Sequence, residues 1–554
     1  MRNASPSIIP QLFFFCAAIN FFINFQTLFV QDGLTPGDAG GNLYAVEAVT
    51  RGEIPYKDFW WNYGFLPFYY NALFFKLFGS HIQSLILARL ILKAIFSGVF
   101  FLAAARIMPL ASSVLAAIAF GVFMPEFKHN FSHYAGICME TGILWAVLSY
   151  YKTAKDKYIF WGWLFVLLLG FIKINFGVLL LLGTWISFIL CGLVEHKKSF
   201  SRTLVFSALS FFAIILIWAL TYYFFIKDLS FHQINQCFPL AKGYNYFNTW
   251  SLSRGIIFLF KTTLQNIQYN HSFDILLAGL TFIASFRLII HMIVRRSCTI
   301  TTGRNCFFIS GILLILIICA YHEFIVTAGL DYQLYWAKPF TVMLIAYLIS
   351  EACVISGSLI QIIVSVVICV LIGIQAYQHW KFLEQFKNKA HFFGFKHMNI
   401  YVTESPKDIK SMLATAHYID KNIPPNSLFY TFPHDALYYY LTDHRMPTWL
   451  FSFYRIIHVT PEQEMDLIKN LEQRKVEYIV QGSVCYAGYA WWGKFGVDYG
   501  LLFDKYIKKY FQETARFGSW SKDSETTYMG GAGTRIFKKK TSQSMNIATV
   551  KDLE

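Results

Sequence analysis

Charged residues are scarce: Asp, Glu, Lys and Arg make up 14% of the 554 residues, while 56% are hydrophobic and 19% aromatic. Soluble globular domains carry about 25% charged residues, so the chain lacks the polar surface that solubility in water requires. Metal-type cysteine spacing is missing, since none of the ten cysteines stands in a C-x-x-C pair. Cys16, Cys191, Cys319, Cys353 and Cys369 lie inside apolar runs and read as small packing residues. The net charge is +15, yet no basic run with interleaved aromatics occurs, which argues against nucleic acid as a partner. Scattered Lys and Arg beside apolar runs suit anionic lipid head groups and membrane topology instead. Internal repeats and low-complexity tracts are also absent.

What the chain has is long apolar runs, with a mean hydropathy of +0.45. Such runs cross bilayers because a helix satisfies its own backbone groups inside lipid. About eleven spans are expected: Ile8–Val30, Ser84–Arg106, Ala111–Met124, Cys138–Tyr151, Tyr158–Phe171, Gly177–Leu193, Leu204–Ile226, Ile275–Val294, Phe307–Tyr321, Phe340–Ile355 and Leu359–Tyr377. The first is too long for a signal-peptide core, no small-residue cleavage site follows it, and it is expected to be a retained anchor. Several others fall short of the usual ~20 residues and need flanking aromatics or tilted neighbours to complete them.

Charge in the short loops alternates. Arg106, then Lys152, Lys155 and Lys157, then Lys197, Lys198 and Arg202, then Arg295, Arg296 and Arg304 fall on one side, and Lys128, Lys173 and Lys338 on the other. The positive-inside rule then puts the N-terminus in the cytoplasm. The long segments Gln31–Ser80 and Lys227–Asp274 and the tail from Gln378 onward fall outside. In that tail, β-like runs Ser427–Tyr430, Val476–Val480 and Thr534–Phe537 alternate with helix-like Glu462–Lys475 and Phe503–Phe511, predicting a small α/β domain. The expected organisation is a polytopic α-helical membrane region over residues 1–377, an extracytoplasmic α/β domain over 378–541, and a disordered tail over 542–554.

The most informative stretch lies between the first two spans. Leu43 to Arg51 reads as a helix on the outer face closed by Gly52, with Asp38 on its N-terminal side. Tyr, Trp and Phe are dense from Tyr56 to Phe78, as in helices lying in the head-group zone. An acid at that boundary can take a proton from an acceptor hydroxyl. On spacing alone, Asp38 equally serves as a cap for the following helix.

The pieces Asp38, Tyr44, Gly52, Pro55-Tyr56, Asp58, Gly64-Phe-Leu-Pro67 and Phe75-Lys-Leu-Phe78-Gly79 resemble the first outer loop of GT-C glycosyltransferases. That superfamily includes protein O-mannosyltransferases, lipid A aminoarabinose transferases and lipopolysaccharide-modifying bacterial relatives. The motif match is confined to this stretch, while the plan of spans and outer tail agrees over the whole chain. The resemblance implies an inverting transfer, metal-independent or assisted by a divalent cation, from a polyprenyl-phosphate sugar to a glycan, lipid or protein acceptor. It implies that Asp38 is the catalytic base. In these families another acid often follows directly, whereas Ala39 and Gly40 follow here. Many relatives place Lys just before the proline, against the donor phosphate, and Leu66 stands there in this chain.

Another base must then neutralise the phosphate, and a departing phosphate needs positive charge at the membrane surface. Lys173, Lys242, Arg254 and Lys338 are the outward candidates, with Lys173, Arg254 and Lys338 preferred, each equally readable as a flank residue reaching for the interface. Tyr56 and Asp58 are candidates to support the acceptor. Glu126, His133 and Glu140, in or beside the second outer loop, join them, since a second acidic loop is a family feature. His129 and His133, four residues apart, form a weak metal candidate; a hydrogen-bonded loop pair is the simpler reading. The aromatic cluster Cys485–Trp492 reads as packing or surface anchoring.

Two other function classes compete. A transporter or flippase of lipid-linked sugars should show paired halves and broken helices at mid-membrane, and no half-to-half similarity is found. A membrane-anchored scaffold leaves the segment from Gly37 to Gly79 unexplained. Short loops and low acidic content point to a bacterial inner membrane, with the tail in the periplasm.

Overall fold

The structure is a computed structural model and describes residues 8–31, 34–124, 131–194, 200–238, 300–326, 335–356, 390–403, 405–450, 452–453, 460–483, 495–518 and 533–540. The chain enters as α1 (Ile8–Asn24), passes a 3-10 turn and forms a two-residue strand β1 (Val30–Gln31). Two helices follow in the inter-span segment, α2 (Asp38–Thr50) and α3 (Leu66–Phe78). Then come α4 (Ile82–Ala104), α5 (Leu110–Phe123), α6 (Phe131–Thr153), α7 (Lys157–Ile172), α8 (Ile174–Val194) and α9 (Phe200–Ile226). A short α10 (Phe231–Cys237), α11 (Ile300–Val326) and α12 (Lys338–Ser356) complete the helical part.

Among the described residues, four segments are long and apolar enough to cross a membrane: Ile8–Leu28, Ile82–Ala104, Ile174–Val194 and Phe200–Ile226. Large apolar side chains on α1 (Phe14, Phe22) and α9 (Phe212, Leu216, Leu220, Phe224) point away from the protein, the face a lipid environment would cover. The sequence expectation cut two helices short, 138–151 and 307–321, because hydropathy falls at polar residues. In α6 those residues, among them Ser132 and His133, turn into the protein interior and the helix continues through them. The expected spans 275–294 and 359–377 lie outside the described residues.

Lys173 is the single non-helical residue between α7 and α8, with φ −155° and ψ 105°. The two helices turn back on each other there because Gly170 and Gly177 meet: a Cβ on Gly177 would sit 2.5 Å from the Gly170 Cα.

The tail contributes two sheets. In the first, β1 pairs parallel with β3 (Met398–Val402), which pairs antiparallel with β2 (His391–Phe395). Helix α13 (Pro406–Asn422) follows, and the second sheet orders β4 (Phe429–Phe432), β5 (Tyr478–Gly482), β7 (Thr534–Lys539) and β6 (Phe511–Phe517). Between its strands run α14 (Leu437–Thr442), α15 (Pro461–Gln473) and α16 (Leu501–Tyr510). Ser405 and Thr460 cap α13 and α15 through their side chains, each followed by a proline in the first turn.

The tail packs on the bundle end that carries the inter-span segment. Ile82 N donates to His397 O at 3.3 Å, and Tyr440 Oη donates to Ser80 O at 2.9 Å. Arg106 lies at the opposite end, donating to Ser149 Oγ at 3.1 Å and Tyr158 Oη at 3.0 Å. Arg202 pairs with Asp156 at that same end.

Candidate active site

Asp38 is the first residue of α2, and Gly37, not Asp38, is the residue before the helix; Thr35 Oγ1 accepts from Ala39 N at 3.3 Å in its first turn. A carboxylate in the first turn stands at the positive end of the helix dipole. The Asp38 side chain is 63% exposed, and its Oδ1 lies 3.0 Å from Nε2 of His434 in the tail. The other His434 nitrogen, Nδ1, lies 2.6 Å from Ser452 Oγ. The imidazole is buried. Glycine at 37 makes this approach feasible, since a Cβ there would sit 1.9 Å from His434 Cδ2. Gly40 allows a second close approach: its Cβ would lie 2.4 Å from the Leu437 backbone nitrogen. Leu437 N donates to Pro36 O at 3.0 Å, so α14 of the tail and the start of α2 are joined backbone to backbone.

The remainder of the segment is clamped by the same part of the tail. Trp60 N donates to Trp449 O at 2.8 Å, and Trp449 Nε1 donates to Tyr56 O at 2.5 Å. Tyr56 is fully buried at φ 67°, its ring packed against Tyr222, Phe225 and Phe238, and its hydroxyl donates to Tyr63 O. Asp58 closes the turn before it, with Oδ2 accepting from Ile54 N at 2.6 Å. The structure thus places both residues in the framework of the segment rather than beside Asp38.

Lys173, projected from the α7–α8 turn, is buried among three aromatic rings. Its Nζ lies 5.2 Å from the Tyr63 centroid, 5.0 Å from Phe176 and 5.2 Å from Trp336. The Tyr63 side approaches because Gly64 packs on the end of α7, Gly64 N donating to Ile172 O at 2.9 Å. His133 sits against the same rings, 5.5 Å from Tyr63 and 5.3 Å from Trp336 between centroids. Glu140 is fully buried two turns further along α6; among the described residues neither of its oxygens has a hydrogen-bond partner, and Lys173 is its charged neighbour. Lys338 is buried two residues after Trp336, 4.2 Å above the Tyr335 ring.

A separate ionic seam joins α2 to the tail. Glu47 and Arg51 pair at 3.3 Å, His397 Nε2 lies 2.6 Å from Asp443 Oδ1, and Lys396 lies 3.1 Å from Asp443 Oδ2. Burial pushes the Glu47 carboxyl up to about 7 despite Arg51. The hydrogen bond that His397 donates to Asp443 raises the pKa of the imidazole. Although partial burial opposes it, the hydrogen bonds from His397 and Lys396 hold Asp443 below the usual carboxylate range. Glu47, His397 and Asp443 offer ligand atoms within 4.8 Å of one another. Arg51 and Lys396 already neutralise those carboxylates, so a cation would have to displace both bases.

No protein-family model matches the sequence, and no curated protein matches it. Solved structures do. The oligosaccharyltransferase of Archaeoglobus fulgidus, crystallised with Zn and sulfate, superposes with a TM-score of 0.53 at 13% identity, over 86% of this chain and 70% of its own. The chain shares the fold of that oligosaccharyltransferase. ArnT from Cupriavidus metallidurans bound to undecaprenyl phosphate gives a TM-score of 0.45 at 11% identity, over 98% of this chain and 100% of its own. The arabinofuranosyltransferase AftD from Mycobacteria gives 0.47 at 12% identity, over 98% of this chain and 40% of its own.

Within this fold the candidates separate into two groups. Asp38 stands at the interface with the tail, while His133, Glu140 and Lys173 come together below the Tyr63–Trp336 rings, with Lys338 on the next element. Glu126, His129, Lys242 and Arg254 lie outside the described residues, as does the 485–492 cluster. Sequence reasoning missed His434 and two bases inside α4. Arg89 is buried near Gln31, at 3.5 Å, and Lys93 donates to Asn24 Oδ1 at 2.6 Å. An Arg and a Lys four residues apart inside an apolar run were the available signal for the latter two.

Proposed function

We propose that the chain is a glycosyltransferase that moves a sugar from a polyprenyl-phosphate carrier to an envelope glycan, lipid or protein, with Asp38 as base. The observation that carries the reading is an exposed carboxylate, held by a hydrogen bond at a helix start, on the bundle end where a GT-C fold meets its tail.

In this scheme the acceptor hydroxyl oxygen attacks the anomeric carbon of the sugar from the face opposite the phosphate. Asp38 takes the hydroxyl proton as the new C–O bond forms. The bond from the anomeric carbon to the phosphate oxygen breaks, and its electron pair leaves on the carrier phosphate. Lys173 and Lys338 supply the counter-charge in place of the lysine that Leu66 replaces. The rings around Lys173 exclude water and so strengthen its field. Glu140 and His133 fix its surroundings rather than touch the sugar.

The basic loops at the end opposite the tail support a cytoplasmic N-terminus and a tail in the periplasm of a bacterial inner membrane. The domain division at 377 and 541 goes with that reading. Nothing specific in the structure favours the transporter alternative. Mass analysis of envelope glycans with and without the gene tests the function: loss of one sugar substituent is expected, and an unchanged envelope rejects it.

A further inference from the structure

We infer that His434, delivered by the tail, is the positioning residue for the Asp38 carboxylate, so that docking of the tail completes the active site. This rests on the reading of Asp38 as base.

The partners assign the ring's protons. A carboxylate only accepts hydrogen bonds, so Nε2 carries the hydrogen toward Asp38 Oδ1, 3.0 Å away. In the neutral imidazole, Nδ1 then accepts from the Ser452 hydroxyl at 2.6 Å. The ring is buried, while the carboxylate it holds stays 63% exposed. One edge of Asp38 is therefore fixed, and the side chain remains accessible to an acceptor.

Two backbone contacts keep this geometry in place. Phe453 N donates to Pro433 O at 2.7 Å, tying the segment that carries Ser452 to the one that carries His434. Leu437 N donates to Pro36 O at 3.0 Å, joining the tail segment to the chain just before α2. The space at Gly37 is filled by the imidazole itself. A histidine serving only as packing would have no need of an exposed carboxylate as partner. A fixed orientation lowers the reorganisation needed when the proton moves.

The test compares variants in membranes from cells that lack the chromosomal gene, which supply their own donor and acceptor. The readout is the rate at which the gene-dependent mass appears in the envelope glycans. Asp38→Asn is expected to abolish it. His434→Ala is expected to slow it about 10- to 100-fold, the range of one hydrogen bond to a charged group. His434→Gln, which keeps an N–H donor, is expected to stay within about fivefold of wild type. Added imidazole should restore rate to His434→Ala but not to Asp38→Asn, and Asp38→Asn/His434→Ala should be no slower than Asp38→Asn alone.

A wild-type rate in His434→Ala beside an inactive Asp38→Asn overturns the positioning role and leaves the base reading standing. An active Asp38→Asn overturns the base reading itself. A slow His434→Ala that neither glutamine nor imidazole restores, with the tail still protease-resistant, also overturns the proposal, because only a structural role remains.

Discussion

Replacing Gly40 by alanine tests the docking of the tail on α2 without touching any polar group of the site. The added Cβ would sit 2.4 Å from the Leu437 nitrogen and 2.5 Å from its Cα. Both neighbours are backbone, held in place by the hydrogen bond from Leu437 N to Pro36 O at 3.0 Å, so neither can swing aside as a side-chain tip would. Overpacking of this kind costs about 1–3 kcal/mol. If that cost falls on local opening of the interface, it corresponds to roughly 5- to 150-fold faster amide exchange in 437–442. Hydrogen–deuterium exchange by mass spectrometry on the detergent-solubilised protein reads this directly. Gly311→Ala is the control: the position is helical, nothing lies within 4 Å of where the new methyl group would sit, and the substitution should stabilise the helix by about 0.5–1 kcal/mol. Unchanged exchange at 437–442 in Gly40→Ala would refute the close approach.

The ionic seam gives a pH prediction. Glu47, pushed up to about 7, binds its proton in the folded state where the unfolded chain, with an ordinary glutamate pKa of about 4.3, has lost it. Docking stability therefore falls as pH rises from about 4.3 through 7, and a raised His397 pushes the same way above its ordinary value. Thermal unfolding should be later at pH 5.5 than at pH 8, and Glu47→Gln should flatten the slope without removing it, since buried Asp435 also titrates near 7; greater stability at pH 8 would contradict this. Lys173→Met keeps the apolar stem among the three rings and removes the charge, so transfer should fall at least about 100-fold while protein level holds; a rate near wild type would take Lys173 out of the scheme. Trp449→Phe removes the donor to Tyr56 O and leaves that carbonyl unpaired, at about 1–3 kcal/mol, readable as faster exchange around 55–60.

Local signals carried the parts of the fold that repeat themselves in the sequence. Gly52 ends α2 with φ 94°, as a glycine after a helix should, and the tail's β-like runs at 427–430, 476–480 and 534–537 correspond to β4, β5 and β7 with shifts of a few residues. Strand β6 lies just beyond the expected helix 503–511 and has no counterpart in the sequence reading, because Gln512, Glu513 and Arg516 give an exposed strand little apolar pattern. In the β2–β3 hairpin, Phe392 and Phe393 stand side by side, so β2 lacks the apolar–polar alternation that marks a strand. Asp38 was legible as a candidate from its place in a loop motif. Its partner was not, because His434 is 396 residues away and only the packed tail brings them together. The interior-facing polar residues of α6 hid the length of that helix for the same reason: a hydropathy profile cannot tell which side of a helix faces the bundle.

The most direct trial of the account is the envelope glycan mass profile of a gene-deleted strain complemented with Asp38→Asn. The account predicts a correctly inserted protein at normal abundance and a profile matching the deletion. Restoration of the missing mass by that variant would contradict it.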